Sequence, residues 1–564
     1  MSSSPYSDVE FKRGIVHFFI GKATSALLAV GILFWLVRLL SVDEYGSYVT
    51  LQAGVGLGLA IMSFGLPWAA ARYVPEFRLY ANGKQLARLV WQIIALAGLF
   101  SVSGALLLYI VMPWLLGFLN LSQQTDVARL YLLVFVLDGL RLNIQDCILD
   151  PLLQQGRSQI SLIARNLTLL LCLSAVLATQ GAVHLHHVVL AEMTGSFLSV
   201  VLSLHGAVRY LQAHRNLNGK SDWQPSHWSE MWLTARHMYF SYLVTLIYGP
   251  WVFVFLTQRF LGVEATALFG FLTNLYAQVY RYLPATLLFS LIRPKLVASY
   301  IGEGGMAQLT RNANLVGKIS LFILMPLLVC VWLTGNELVS LLSGGKFTQA
   351  GYYLGCMLLG LIPLSQRQTL ETVVVASGHG NLCFRCSALG ILVLPLAYWL
   401  FESGQGLWSP ILAMITSQTI FNVTLIIAMG ASTSYRPDAV GLFKLVAAAL
   451  LGFVLSILSK MAWTNSFQLH VSDFVELMEN IQVLVPKLIA HSYSVPVHGW
   501  LDLVSTAALA CSLYLLASCL FKPFRVDERM RLSRLLFNKN ECKAMKPTLN
   551  AGAKKLIRYD RKIL

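Results

Sequence analysis

Residues 36–52 read LVRLLSVDEYGSYVTLQ. An apolar run ends at Arg38, a short polar turn follows through Ser41, Asp43 and Glu44, and a second apolar run starts at Tyr45. The same punctuation returns 221 residues later, where Arg38-Leu-Leu-Ser-Val-Asp becomes Arg259-Phe-Leu-Gly-Val-Glu. Arg72, which closes the second run, matches Arg293 at the same offset, and Gly156 matches Gly378 at 222. Three landmarks within one residue of a common offset, each at the same place in the alternation of apolar and polar segments, indicate a duplicated unit.

Composition fixes the solvent in which that unit folds. Of 564 residues, 56% are hydrophobic and only 12% charged, with a mean hydropathy of +0.65. Soluble domains carry roughly 25% charged residues. Apolar runs of about 20 residues span a bilayer core, and fourteen candidates occur, at about 14–37, 46–70, 89–112, 127–149, 160–181, 187–210, 234–258, 266–291, 310–334, 349–376, 384–402, 409–431, 441–462 and 498–521. None shows barrel-strand alternation, so helices, which satisfy their own backbone in lipid, are expected. The first run is too long for a signal-peptide core and lacks a cleavage site, so it reads as a retained helix. Six spans separate equivalent landmarks, which makes both copies run in the same direction, a common transporter plan. The expected fold is an all-α polytopic membrane protein with about 14 transmembrane helices. Its parts are a first lobe at 1–212, a second at 213–432, two extra helices within 433–521, and a basic tail at 522–564.

The net charge of +16 has two readings, nucleic acid or the positive-inside rule, and its distribution separates them. With the N-terminus in the cytoplasm, inner segments hold 29 Lys and Arg and outer segments six. Trp35, Trp114, Trp251, Trp332, Trp399 and Trp463 fall near outer helix ends. The expected location is the cell inner membrane, multi-pass, with both termini cytoplasmic and no nucleic-acid partner. In the outer segment 463–497, Phe474, Leu477, Met478, Ile481, Leu484, Val485 and Leu488 form one apolar helical face, which suggests an interfacial helix. The tail, with Arg529, Arg531 and Arg534 among leucines, reads as a segment lying on anionic lipid.

The stretch 36–52, with SFGLPWAAARYVPEF at 63–77, resembles the start of bacterial polysaccharide flippases of the multidrug/oligosaccharidyl-lipid/polysaccharide exporter superfamily. Arg38, Leu40, Glu44, Tyr45, Gly46, Tyr48, Gly65 and Arg72 carry the likeness. LLSGGKFTQAGYYLGCMLLGLIP at 341–363 is similar to that family's entry into its tenth span. The resemblance implies a MATE-like fold with two lobes about a cavity that opens alternately to either side. It also implies a polyprenyl-diphosphate-linked oligosaccharide as cargo. Other polysaccharide-assembly proteins are further expected partners. The long segment 463–497 and the basic tail depart from the short family form.

Ionisable groups within spans are costly and become functional candidates. Lys22, Arg165, Arg236, Arg281 and Lys318 fall in the cytoplasmic half of their spans, and Arg72 closes span 2. Facing one cavity, such groups suit a diphosphate: arginine offers a fork of donors, lysine a mobile charge. Arg165 and Arg236, near expected helix starts, have the alternative of snorkelling to the interface. The proposed substrate-binding set is Lys22, Arg72, Arg236, Arg281 and Lys318. Asp138 with Arg141, and Arg367 with Glu371, have i,i+3 and i,i+4 spacing. Each is either a locally neutralised pair or a carboxylate that couples transport to an ion, which makes Asp138 and Glu371 the ion-coupling candidates.

No enzyme chemistry is legible. There is no Walker loop, HExxH or GxSxG, so no cofactor is expected. Cys383 and Cys386, the one CxxC, sit at a span start and read as small core residues. His184, His186 and His187 read as a solvated loop rather than a metal site. Two other functions compete with the flippase. A cation-coupled drug exporter calls for mainly acidic central charges. A membrane-embedded polymerase or ligase calls for a large catalytic loop, and the longest outer segment has about 35 residues.

Overall fold

A computed structural model describes residues 8–216, 227–283, 305–377, 381–465 and 500–530, with isolated positions between. All regular structure among them is helical. The expectations for 463–497 and for most of the tail, and the landmarks Arg293 and Gly378, lie outside the described residues.

Among the described residues, ten helices are long and apolar enough to cross a membrane, or eleven if one bent pair counts as a single span. Their outward surface is apolar: Ile110, Leu520 and Phe443 are more than 70% exposed. Large apolar side chains this exposed on membrane-length helices suit lipid rather than water as the surrounding solvent.

The chain divides into two compact units, one formed by 1–282 with 335–432 and the other by 283–334 with 433–564. In the first unit, α1 (Asp8–Leu39) leads through Ser41 into α2 (Val42–Met62). Ser41 caps α2 by the reciprocal exchange its sequence allows: its Oγ accepts from the Glu44 N–H, and Glu44 Oε2 accepts from the Ser41 N–H. The bent pair is α2 with α3 (Leu66–Tyr80), turning by 54°. The bend lies at Phe64 and Gly65, both with left-handed φ. Then come α4 (Gly83–Phe118) and α5 (Thr125–Ile144). A π-helical turn follows at Gln145–Leu149, and then α6 (Gln155–Gln180) and α7 (Leu185–Ala213).

The second copy in this unit starts with α8 (Trp228–Ile247) and α9 (Pro250–Tyr282). Gly262 interrupts α9 with φ 86° and ψ −176°. By the 221-residue offset Gly262 corresponds to Ser41, so the break in α9 and the cap of α2 are the same landmark. α10 (Gly305–Ser343) carries non-helical torsions at Thr334, where the division between the units falls. α11 (Gly351–Leu359), α12 (Leu361–Ala376), α13 (Asn381–Leu389), α14 (Val393–Glu402) and α15 (Trp408–Ser432) complete the first unit. α16 (Ala439–Asn465) and α17 (Trp500–Phe521) belong to the second.

The repeat has a physical signature in the first unit. A Cβ on Gly270 would meet Val49 Cγ1 at 2.2 Å, and one on Gly46 would meet the Val263 carbonyl oxygen at 2.3 Å. Val49 and Gly270 are equivalent positions at the 221-residue offset. Positions equivalent at the expected repeat offset thus meet where α2 packs on the second half of α9. Glycine at 46 and 270 permits that approach, the usual device of close membrane-helix crossings.

Candidate functional site

Polar groups in the first unit gather in two places. The first lies within the first copy and joins α2, α5, α6 and α7. Arg141 Nε is 2.9 Å from Asp138 Oδ1, as the i,i+3 spacing predicts. Asp138 also accepts from Arg165 at 3.2 Å and from Ser196 Oγ at 2.9 Å. Glu192 accepts from the Tyr48 hydroxyl at 2.8 Å and the Tyr131 hydroxyl at 2.6 Å, with Arg165 3.8 Å away. Arg141 continues to Gln145, whose amide donates to Ser161 Oγ at 2.6 Å. A Cβ on Gly195 would lie 2.8 Å from the Arg165 carbonyl. That absence lets α7 approach α6 closely enough to bring Glu192 and Ser196 to Arg165. Two arginines face two carboxylates, so the network is neutral and largely satisfied, the condition under which buried charge is tolerated.

Arg165 therefore does not snorkel. α6 starts at Gln155, earlier than expected, which puts Arg165 three turns inside the helix and against two acids. Asp138 is enclosed by Arg141, Arg165 and Ser196, which ties it to two neighbouring helices rather than to Arg141 alone.

The second gathering surrounds the last turn of α9. Lys22 of α1 lies within electrostatic reach of Arg281, Asp146 and Asp150. Asp146 and Asp150 are exposed, one helical turn apart at the π-helical turn. On the second copy, Arg367 Nε is 2.8 Å from Glu371 Oε1. Its other nitrogens donate to Gln418 Oε1 and Thr245 Oγ1, both at 3.1 Å, and its guanidinium stands 4.0 Å from the centre of the Phe421 ring. Tyr280, beside Arg281, lies within electrostatic reach of Arg367. At the 221-residue offset Asp146 corresponds to Arg367, Asp150 to Glu371 and Thr24 to Thr245. The two copies thus bring one set of positions to α9 with different charges.

Of the residues singled out from sequence, Lys22 and Arg281 come together here. Glu371 is half-buried at the same turn of the fold. Arg72 is exposed on α3, with its guanidinium 5.3 Å from the Tyr73 ring centre. Arg236 is exposed on α8. Lys318 is elsewhere: in the second unit, fully buried, its Nζ 2.8 Å from Asp438 and 2.5 Å from Glu528. With no exposed surface, it lines no cavity in this structure. Sequence reading did not single out Tyr48 and Tyr131 as carboxylate partners, because residues 61 or more positions apart meet only on folding. Asp146 and Asp150 have no locally spaced partner that marks them in the sequence; the repeat offset pairs them with the positions of Arg367 and Glu371.

His184 Nδ1 is 3.1 Å from Glu44 Oε1. Among the described residues no group of three or more His, Cys, Asp or Glu is placed to hold a metal.

Against solved structures, the chain is similar to a lipid II flippase MurJ in an inward closed conformation. The TM-score is 0.64 and the identity 12%, over 90% of this chain and 98% of that one. It is also similar to an inward-facing MATE family multidrug transporter of the MOP superfamily, with TM-score 0.58 and 12% identity, over 75% and 98%. A Vibrio cholerae MATE transporter gives 0.50 and 13%, over 76% and 100%. No sequence family matches the chain, and no curated protein does. The fold is MATE-like and MurJ-like, all-helical with helices long and apolar enough to cross a membrane many times. The proteins that share it here are transporters, not enzymes.

Proposed function

We propose that this chain is an alternating-access flippase. It carries a polyprenyl-diphosphate-linked oligosaccharide from the cytoplasmic to the outer leaflet of the inner membrane, with fourteen spans, two lobes and both termini cytoplasmic. The observation that carries this reading is that Lys22 of α1 and Arg281 of α9, on different copies of the expected repeat, lie within electrostatic reach of one another in a MATE-like and MurJ-like fold. A lysine and an arginine are the donors a diphosphate needs. Arg72 and Arg236, exposed on α3 and α8, supply further positive charge for its approach. The 36–77 resemblance to polysaccharide flippases and the 29-to-6 bias of basic residues support the cargo class and the orientation.

The second reading, a cation-coupled exporter, draws support from Asp146, Asp150 and Glu371, which stand among the bases. Three acids balance Lys22, Arg281 and Arg367, so this group of side chains is not purely cationic. Within the flippase reading Glu371 serves as the ion-coupling carboxylate, whereas Asp138 acts through Arg165 and Arg141. Reconstituted vesicles holding a fluorescent lipid-linked oligosaccharide decide between these readings. Lys22→Met and Arg281→Gln should each slow its flipping at unchanged protein level. Efflux of organic cations with no flipping at all would establish the exporter instead.

A further inference from the structure

The two copies of the repeat are tied at one end of the first unit by an exchange of helix caps. α1 ends at Leu39 and α10 at Ser343. Each helix leaves its last carbonyls without intrahelical partners, and each end carries partial negative charge. Arg38, in the last turn of α1, donates from Nη2 to Leu341 O at 2.5 Å and from Nε to Leu342 O at 3.4 Å, the last turn of α10. Lys346, just past α10, donates in return to Val37 O at 2.9 Å, Arg38 O at 3.0 Å and Leu40 O, the last turn of α1. A Cβ on Gly344 would meet Arg38 Cγ at 3.0 Å, and this glycine, with φ 68°, turns the chain so that Lys346 faces back. Glu44 at the start of α2 lies within electrostatic reach of Lys346 and accepts from the Leu185 N–H at the start of α7. One cation from each copy therefore neutralises the other copy's helix terminus, over a separation of about 300 residues in sequence.

We infer that this reciprocal capping is a clasp that holds this end of the transporter shut, and that it must break for the end to open. Both cations lie at the surface, Arg38 exposed and Lys346 half-buried, so water can take over the freed carbonyls when the clasp parts. A bond network meant only to stabilise the fold gains from burial. This one sits where release is cheap. Below it lies the α2–α9 seam, where Val49 is 4% exposed and packs on Gly270. Opening the end exposes that seam.

The test uses the full chain with its nine cysteines replaced, in nanodiscs, with one reporter thiol at a time and a water-soluble maleimide. Val49→Cys reports the seam. Ser203→Cys, fully buried on α7, reports general loosening. Lys346→Met and Arg38→Met should each raise Val49→Cys labelling about tenfold, in line with loss of charge-assisted bonds at a helix end. Neither should change Ser203→Cys labelling. Lys346→Arg should keep the slow rate. Equal acceleration at both reporters would show that the bonds serve stability alone. Unchanged Val49→Cys labelling in both variants would show that they hold nothing shut. Either result overturns the clasp.

Discussion

Lys318→Met removes the only ammonium from the Lys318–Asp438–Glu528 triad and leaves its size nearly intact. In the parent protein Asp438 Oδ2 and Glu528 Oε2 share that ammonium. Asp438 Oδ1 also accepts from the Gly441 N–H at 3.1 Å, and Glu528 from the Arg525 N–H at 2.8 Å. The carboxylates are 9% and 4% exposed. Removing one member of a buried ion group costs about 3–5 kcal/mol, because the others stay charged and unpaired. Arg525, 3.5 Å from Asp438 but 66% exposed, offsets little of this. For a cooperative unit of about 150–250 residues, 3 kcal/mol lowers the melting midpoint by roughly 6–12 °C. Thermal unfolding of the purified protein in detergent reads this directly. Lys318→Met with Glu528→Gln should recover a large part of the loss, since one of two repelling charges is gone. Acid should have opposite effects on the two proteins. Burial pushes the Asp438 carboxyl up, but the Lys318 bond, the Gly441 N–H and the Lys318 and Arg525 charges bring it below its usual value. A depressed carboxyl contributes stability above its unfolded value, about 3.9, and loses it as pH falls below that. The parent should therefore weaken below about pH 4, while Lys318→Met should gain relative to it as its unpaired carboxylates take up protons. A midpoint within 2 °C of the parent, with no gain from Glu528→Gln, would refute the reasoning. So would a doubly substituted protein that folds fully and fails to flip cargo, since that is what a cavity-lining Lys318 predicts.

Gly270→Ala places a methyl 2.2 Å from Val49 Cγ1. It should cost about 1–3 kcal/mol through overpacking, with Val49→Ala restoring part of it in the same unfolding assay. Arg165→Met leaves Asp138 and Glu192 facing each other without their shared guanidinium. Loss of about 3–5 kcal/mol is expected, and Glu192→Gln in the same chain should rescue folding, a pairing that unrelated destabilisation does not show. A diphosphate linker carries about two negative charges, each worth about 2.3 kcal/mol per 100 mV. Collapsing an inside-negative potential at fixed ion gradients should thus slow outward flipping in vesicles, and indifference to the potential would move the coupling to Glu371.

Much of the membrane architecture was legible before folding, because lipid imposes it on each helix separately. Apolar length, the scarcity of charge and the bias of basic residues are properties of single segments. So are the pairs Asp138–Arg141 and Arg367–Glu371, whose partners lie three or four residues apart. The expected duplication rests on landmarks such as Arg38 and Arg259, which keep their places along the chain. What the sequence left open was which face each helix turns to which neighbour. Arg165 looked like a snorkelling residue until α6 put it beside α7. Lys318 looked like a cavity group until residues 438 and 528 closed over it. Lys346 and Arg38 carry no pattern that announces an exchange of caps over 300 residues. A charge in a span has the same cost wherever it points, so its cost marks it in the sequence. Only the tertiary structure supplies the partner that decides whether that cost supports binding, motion or the fold itself.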